Sequence, residues 1–111
     1  MNTNIKNIPA DRTYFTERGY SQSYPWVEVK RTAKTVTVAK VNVEADPEWK
    51  PVFHVGGFSA NCSNQSEQTW LFANIDPKYT RTLRLNKKGE WKSDGVKYSE
   101  DKAVEFYDYN F

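Results

Sequence analysis

Valine alternates with polar or charged residues between Trp26 and Val43, in the run WVEVKRTAKTVTVAKVNV. A period of two is typical of a β-strand with one buried face. We expect one strand over residues 26–31, a hairpin connection at 32–34 and a return strand from Thr35. The pattern therefore predicts a β protein.

The return strand changes phase in its middle. Val36 and Val38 lie at even positions, whereas Val41 and Val43 lie at odd ones. Because successive side chains point to opposite faces of a sheet, a bulge at residues 39–40 would bring both pairs to one buried face. Such bulges bend long strands in small barrels, so this pattern favours a barrel.

Turn signals at regular intervals divide the rest of the chain into short apolar segments. Further strands are expected over residues 51–55, 68–74, 79–86, 91 onward, 96–98 and 104–107. The predicted fold class is all-β, a small single-domain antiparallel barrel or strongly bent sandwich. Residues 1–13 are mostly polar and are predicted to form a flexible N-terminal arm outside the core, which leaves residues 14–111 as the β domain.

The predicted core collects the apolar residues at inward positions of these strands. Its members are Trp26 or Val27 with Val29, Val36, Val38, Val41, Val43, Val55, Trp70, Phe72, Leu83, Leu85 and Phe106. The tail EFYDYNF is expected to close the sheet as a final strand, with Phe106 and Phe111 packed inward, since an unpaired apolar tail promotes aggregation. The alternative is an acidic aromatic hook for a partner.

Composition favours binding over catalysis. The 111 residues include four Trp, seven Tyr and six Phe but one His and one Cys. His54 and Cys62 lack the additional ligands of a zinc site and the orienting residue of a thiol nucleophile. Glu28 and Glu44 follow valines on alternating strands, which predicts solvent-facing carboxylates rather than an acid–base pair. We expect no enzyme, no cofactor and no metal site.

Charge and targeting signals limit the partners and the cellular location that we expect. The formal net charge is +2, well below that of a dedicated nucleic-acid binder, but residues 78–92 are strongly basic and residues 100–108 are acidic. Cys62 is the only cysteine, so no intramolecular disulfide can form, and no signal-peptide pattern follows Met1. We expect a cytoplasmic protein without a membrane span. The oligomeric state is left open, a homo-oligomer included.

The predicted ligand site combines a long polar loop with a basic strand. Residues 56–68 are rich in Gly, Ser, Asn and Gln, and long loops in small domains often carry function. Glycines allow close backbone approach, amides bond a ligand, aromatic rings stack on bases and guanidinium groups bind phosphate. The predicted ligand-binding residues are Phe58, Asn61, Asn64, Gln65, Arg81, Arg84 and Trp26. Arg84 is expected to face solvent and Arg81 to need a partner if buried.

Six segments together resemble a group of small, mostly uncharacterised proteins carried by bacteriophages and mobile elements. They are GYS at 19–21, YPWVEV at 24–29, WKP at 49–51, GGF at 56–58, CSNQ at 62–65 and EFYDYNF at 105–111. The resemblance covers most of residues 14–111 and includes no catalytic signature. It implies an accessory protein that acts against host defences.

Two functions follow as expectations. The first, implied by the resemblance, is a non-catalytic counter-defence protein that sequesters a host immune nucleotide signal or masks a host effector protein. The second is a nucleic-acid-binding β module that uses the basic 78–92 hairpin. The second predicts binding that weakens steeply with salt, whereas a buried small-ligand site depends on salt much less.

Overall fold

The computed structural model describes residues 4–56, 59–100 and 102–109, with the side chains of 54–56 and 59–61 left out. These residues form nine β-strands, one 3₁₀ turn and no α-helix, which confirms the all-β class. The strands are β1 (Ile5–Lys6), β2 (Tyr14–Arg18), β3 (Ser23–Arg31), β4 (Thr35–Ala45), β5 (Phe53–Gly56), β6 (Ser59–Cys62), β7 (Trp70–Leu85), β8 (Trp91–Ser93) and β9 (Val96–Glu100). The 3₁₀ turn is Gln65–Glu67.

Six of the strands close into a ring. The order is β7-β4-β3-β2-β9-β8, and β8 pairs again with β7 through Arg84↔Lys92 and Leu85↔Trp91. All pairings in the ring are antiparallel. Closure satisfies the backbone groups that an open sheet leaves at its two edges. Of the two predicted architectures, a barrel and a strongly bent sandwich, the fold is therefore the barrel.

Three strands lie outside this ring. The short β1 adds in parallel to the first part of β7, with Ile5 opposite Trp70. Strands β5 and β6 form a separate two-stranded hairpin. Residues 59–62 are thus a strand and residues 65–67 a 3₁₀ turn, so the prediction of one long irregular loop over residues 56–68 is wrong for this part.

The first core fills the barrel interior. Each of the six ring strands contributes at least one buried side chain to it. Its buried members are Phe15, Trp26, Val36, Val38, Leu83, Trp91 and Tyr98. Phe15 and Trp91 pack edge-to-face with ring centroids 6.2 Å apart, an arrangement that aromatic pairs favour.

A second core lies on the opposite face of the same sheet. Its buried members are Ile5, Tyr14, Val27, Ala39, Val41 and Ala103. Each of the neighbouring pairs Tyr14/Phe15 and Trp26/Val27 contributes one residue to each core, as the alternation of side chains along a strand requires. Segments near both ends of the described chain cover this outer face.

The phase change in β4 is explained by these two cores. Val36 and Val38 belong to the interior, whereas Val41 belongs to the outer core and Val43 packs against it. The predicted register shift does occur between Ala39 and Lys40. The shift was predicted to bring both pairs of valines to one buried face, and this prediction is wrong. Both faces of the sheet are covered, so each pair packs into the core on its own face.

The shift places its extra residues on β7, not on β4. Ala39 lies opposite Thr80 and Lys40 opposite Asp76, so residues 77–79 have no partner on β4. Pro77 has no backbone N–H to donate, and a bulge is where a sheet interior tolerates proline. The sequence pattern predicted two separate strands over residues 68–74 and 79–86, but β7 continues through the bulge as one strand.

The start of the described chain is part of the core. Ile5 is 3% exposed in the second core, and the backbone N–H of Trp70 donates to the carbonyl of Asn4. The Asn4 side chain also accepts from the backbone N–H of Glu105 at 3.1 Å. For residues 4–8, the expectation of an arm outside the core is therefore wrong, since Ile8 also packs against the second core.

The tail follows the sheet without forming a strand. Phe106 makes one isolated antiparallel bridge with Ser23 and is half-buried. Side chains hold much of the remaining backbone: Gln68 accepts from the N–H of Tyr107 at 3.1 Å, and Gln65 from that of Tyr109 at 2.9 Å. The predicted strand at 104–107 is wrong, and Phe111 lies outside the described residues.

Most of the predicted core is confirmed. Trp26, Val27, Val36, Val38, Val41 and Leu83 are buried, and Val43, Trp70, Phe72 and Leu85 pack against the two cores. Val29 is 53% exposed, so its core assignment is wrong. The register of β3 against β4 shifts between Glu28 and Lys30, which leaves Val29 without a partner on β4. The Val55 side chain lies outside the described residues.

Candidate functional site

A group of aromatic and cationic side chains surrounds Trp26. This Trp26 cluster consists of Tyr24, Trp26, Lys40, Tyr79 and Arg81. The indole of Trp26 is 1% exposed, and its N–H donates to Glu17 Oε1 at 3.0 Å. Trp26 was predicted to contact a ligand, but it lies beneath the more exposed members of the cluster.

Arg81 is fixed on one side of the Trp26 ring. Its guanidinium carbon lies 4.7 Å from the ring centroid, within the range of a cation–π contact. Nη1 donates to the Tyr98 hydroxyl at 2.6 Å and lies 3.2 Å from Glu17 Oε1. Partial burial opposes the charge of Arg81, but the Tyr98 hydrogen bond and the Glu17 carboxylate raise its pKa above the usual value. The predicted need of Arg81 for a partner is confirmed.

Lys40 is the less constrained cation of the cluster. Its Nζ lies 5.2 Å from the Tyr24 ring centroid and 5.4 Å from that of Trp26. Among residues 4–56, 59–100 and 102–109, no carboxylate forms an ion pair with it. Lys40 therefore keeps its donors available to an anion.

Tyr79 brings the cluster to the surface. It is 51% exposed, and its ring lies 5.8 Å from that of Trp26 at an interplanar angle of 46°. Tyr79 belongs to the β7 bulge, which has no partner on β4. Bulges re-aim side chains in this way. The outcome is a half-exposed ring that contacts Trp26, as Lys40 and Arg81 also do. This grouping suits a ligand that carries both a planar ring and a negative charge.

Of the other predicted site residues, Asn64, Gln65 and Arg84 do not join this cluster. Asn64 accepts from the N–H of Val52 at 2.8 Å and donates to the carbonyl of Lys50 at 2.8 Å, so its amide holds a loop. Gln65 holds the tail through Tyr109. Phe58 and the side chain of Asn61 lie outside the described residues.

Arg84 lies at the opposite end of β7 from Trp70. It is exposed near the end of this strand, fourteen residues after Trp70. Arg84 was expected to supply charge opposite the 56–68 segment. The structure places it opposite Lys92.

Arg84 belongs to a row of three cations. Arg84 lies opposite Lys92, and Lys92 lies opposite Lys97, across β7, β8 and β9. Only Lys97 has an ion pair in the described part of the chain, with Glu90 at 3.3 Å. Like charges directly opposite each other on neighbouring strands destabilise a sheet. We call these three residues the cationic row.

Sequence reasoning grouped Tyr24 and Tyr79 with the basic segment as rings for stacking but did not include them among the predicted ligand-binding residues. It missed Lys40 as a member of the site. Lys40 was considered only as a bulge position, although a lone lysine in a run of buried valines was a usable signal. Tyr79 was noted beside the basic segment, but its approach to Trp26 depends on the bulge at Pro77. No local pattern gives the length of such a bulge.

No family model, curated protein or solved structure matches this chain. Within the described residues, no helix has the length and apolar character needed to cross a membrane. The same residues contain no group of three or more His, Cys, Asp or Glu side chains arranged to hold a metal ion. The functional argument therefore depends on the geometry alone.

Proposed function

We propose that this chain is a non-catalytic binding protein that takes up a nucleotide-like ligand at the Trp26 cluster. The observation that carries the proposal is that Lys40 and Tyr79 both contact Trp26. Lys40 has no ion pair in the described chain, and the Tyr79 ring is half-exposed. A base can stack on Tyr79 while Lys40 binds phosphate, with the charge of Arg81 held close by.

The biological setting follows from the resemblance to phage and mobile-element proteins. In that setting the protein acts in the host cytoplasm as a counter-defence factor that sequesters an immune nucleotide signal. Masking of a host effector protein is the other mode of the same role. Isothermal calorimetry with cyclic and linear nucleotides tests the first mode, and pull-down from host lysate tests the second. If neither experiment detects binding, the counter-defence role is contradicted.

Two substitutions test the nucleotide site. Lys40→Gln removes a charged hydrogen bond and is expected to cost about 1.5–3 kcal/mol of binding, which is roughly tenfold to a hundredfold. Tyr79→Ala removes a stacking face and is expected to cost about 1–3 kcal/mol. Isothermal calorimetry with the tightest-binding nucleotide measures both changes.

The matched control is Lys34→Gln, which removes an exposed lysine in the connection between β3 and β4. It changes the net charge as Lys40→Gln does but leaves the cluster intact. Equal losses in the two lysine variants would mean that only overall charge matters. Unchanged affinity in both Lys40→Gln and Tyr79→Ala would exclude this site.

The cationic row favours nucleic-acid binding as the second candidate function. Three cations in register on adjacent strands form a band that suits a run of phosphates, and Lys87 and Lys88 continue the positive charge at the exposed β7–β8 turn. This is the surface that the basic 78–92 hairpin was expected to provide.

Salt dependence separates the two candidates. If single-stranded DNA or RNA binds the row, the logarithm of affinity falls steeply with the logarithm of salt concentration, and Arg84→Ala reduces the slope by about one unit. Fluorescence anisotropy with a labelled oligonucleotide measures this slope. A slope near zero, or one that Arg84→Ala and Lys34→Ala reduce equally, would count against the row.

A further inference from the structure

The four tryptophan indoles differ in one respect. Three donate their N–H to a named acceptor: Trp26 to Glu17 at 3.0 Å, Trp70 to Gln68 at 3.2 Å and Trp91 to Glu100 at 3.0 Å. The indole nitrogen of Trp49 is buried and has no hydrogen-bond partner in the described structure. A buried donor without an acceptor costs about 1–3 kcal/mol, so such groups are rare and need an explanation.

Trp49 lines a small cavity between the 46–51 loop, the start of β7 and the tail. The cavity has a volume of about 110 Å³ and is bounded by Ala45, Asp46, Trp49, Pro51, Thr69, Trp70 and Tyr109. The rings of Trp49 and Tyr109 lie 5.6 Å apart at an interplanar angle of 43°. The walls are therefore mainly aromatic.

The polar side chains of the wall are already bonded. Asp46 is 4% exposed and accepts from Thr69 Oγ1 at 2.7 Å, from Lys6 Nζ at 2.8 Å and from the N–H of Glu48 at 2.9 Å. The hydrogen bonds from Lys6 and Thr69 lower the pKa of Asp46 to about 2, so the carboxylate stays charged and paired. Asp46 and Thr69 thus offer little to a ligand, whereas the Trp49 N–H remains available.

The cavity opens onto exposed apolar surface. Among the most exposed large apolar residues of the described chain are Val52 (47%), Phe53 (48%) and Tyr107 (47%), which lie in the same region. The Phe53 and Tyr107 rings lie 6.2 Å and 4.8 Å from that of Tyr109. Clustered exposed apolar side chains are typical of interaction surfaces.

These features select the chemistry of the occupant. A cation would leave the Trp49 N–H without an acceptor, and an anion would lie close to the Asp46 carboxylate. A proline residue carries no N–H, presents carbonyl acceptors and packs its ring on aromatic faces.

We propose that this cavity binds a proline in an extended segment of a partner protein, with a neighbouring carbonyl of that segment accepting from Trp49 Nε1. An apolar cavity of about 150 Å³ holds benzene, so the present volume is of the right order for a five-membered ring. The exposed rings of Phe53 and Tyr107 extend the contact along the segment. This site is separate from the Trp26 cluster and does not depend on a nucleotide ligand.

Tyr109 is the movable wall of the site. The Trp49 nitrogen is covered, so the occupant reaches it when the Tyr109 ring turns from the indole onto the proline ring, where its packing contributes to binding. Side-chain rotations of this kind are common when partners bind. The backbone of Tyr109 stays in place through its bond to Gln65.

Nuclear magnetic resonance of the indole N–H groups tests the proposal. A blocked oligoproline peptide is titrated into labelled full-length protein, and each of the four indole signals is assigned with a single Trp→Phe variant. We expect the Trp49 signal to shift saturably while the Trp26 and Trp91 signals, whose N–H groups donate to glutamates, stay fixed. A proline-free peptide of alanine and glycine with the same length should give no shift.

Affinity in the variants completes the test. Trp49→Phe and Tyr109→Ala are each expected to weaken oligoproline binding at least tenfold, and Tyr20→Ala, an exposed aromatic position outside the cavity, should leave it unchanged. If Trp49→Phe does not fold, Tyr109→Ala gives the same comparison. The proposal is overturned if the Trp49 signal does not move, if a blocked lysine peptide binds in place of the proline peptide, or if both cavity variants bind normally.

Discussion

Leu83→Ala is expected to lower the free energy of unfolding by about 2–5 kcal/mol, because Leu83 is fully buried in the barrel interior and its loss leaves a cavity. Val29→Ala is the matched control. Its side chain is 53% exposed, so the expected change is within about 0.5 kcal/mol. Urea unfolding of both variants measures the difference.

This comparison also tests the two-core arrangement. The alternating pattern predicted both Leu83 and Val29 as core residues. The bulge in β3 is the reason that Val29 is exposed while Leu83 is buried. Similar losses in the two variants would contradict the exposed position of Val29. A loss below about 1 kcal/mol for Leu83→Ala would contradict a well-packed interior.

Glu105→Gln is expected to stabilise the protein at pH 8 and to have little effect at pH 4. Burial raises the pKa of Glu105 from 4.5 to about 7, and the nearby charge of Lys40 offsets only part of this rise. Below pH 4.5 the group is protonated in both the folded and unfolded states. Between pH 4.5 and 7 the unfolded state ionises while the folded state stays protonated, so stability is lost over this range and the loss is complete above pH 7.

The cost at pH 8 is roughly 2 kcal/mol once the partial exposure of the side chain is allowed for. Thermal unfolding of the wild type and the variant at both pH values measures it. Glu44→Gln, at an exposed position on β4, is the control and should show no pH-dependent gain. An equal gain for Glu105→Gln at pH 4 and pH 8 would mean that its effect does not come from titration.

The alternating pattern was sufficient to predict the β class, the first hairpin and much of the interior. Val36, Val38 and Leu83 were identified because local alternation reports which residues share a face. The pattern could not show that the other face is also covered. Tyr14 and Ile5 were missed for this reason, since their burial depends on contacts between segments distant in sequence.

The candidate site was predicted in part. Trp26 and Arg81 do lie together. Arg81 shares the inward parity of Leu83 and Leu85, and a partly buried guanidinium needs partners. The partnership of Arg84 with the 56–68 segment stays a prediction, since charge and loop composition carry no information about distance in three dimensions. The structure shows Arg84 opposite Lys92 on β8. The acceptor-less indole of Trp49 is a property of packing, and no sequence pattern predicts it.

The closed ring has a consequence for the order in which the chain can fold. Its β2–β9 pairing joins Phe15 to Glu100, a long loop to close, whereas the β3–β4 hairpin is local. Loop-closure entropy is lost before such distant pairings are stabilised, and β topologies of this kind fold slowly. Until the ring closes, β2 and β9 each have an open edge, and a neighbouring chain can add there. Newly made protein is therefore most prone to aggregate before this last seam forms.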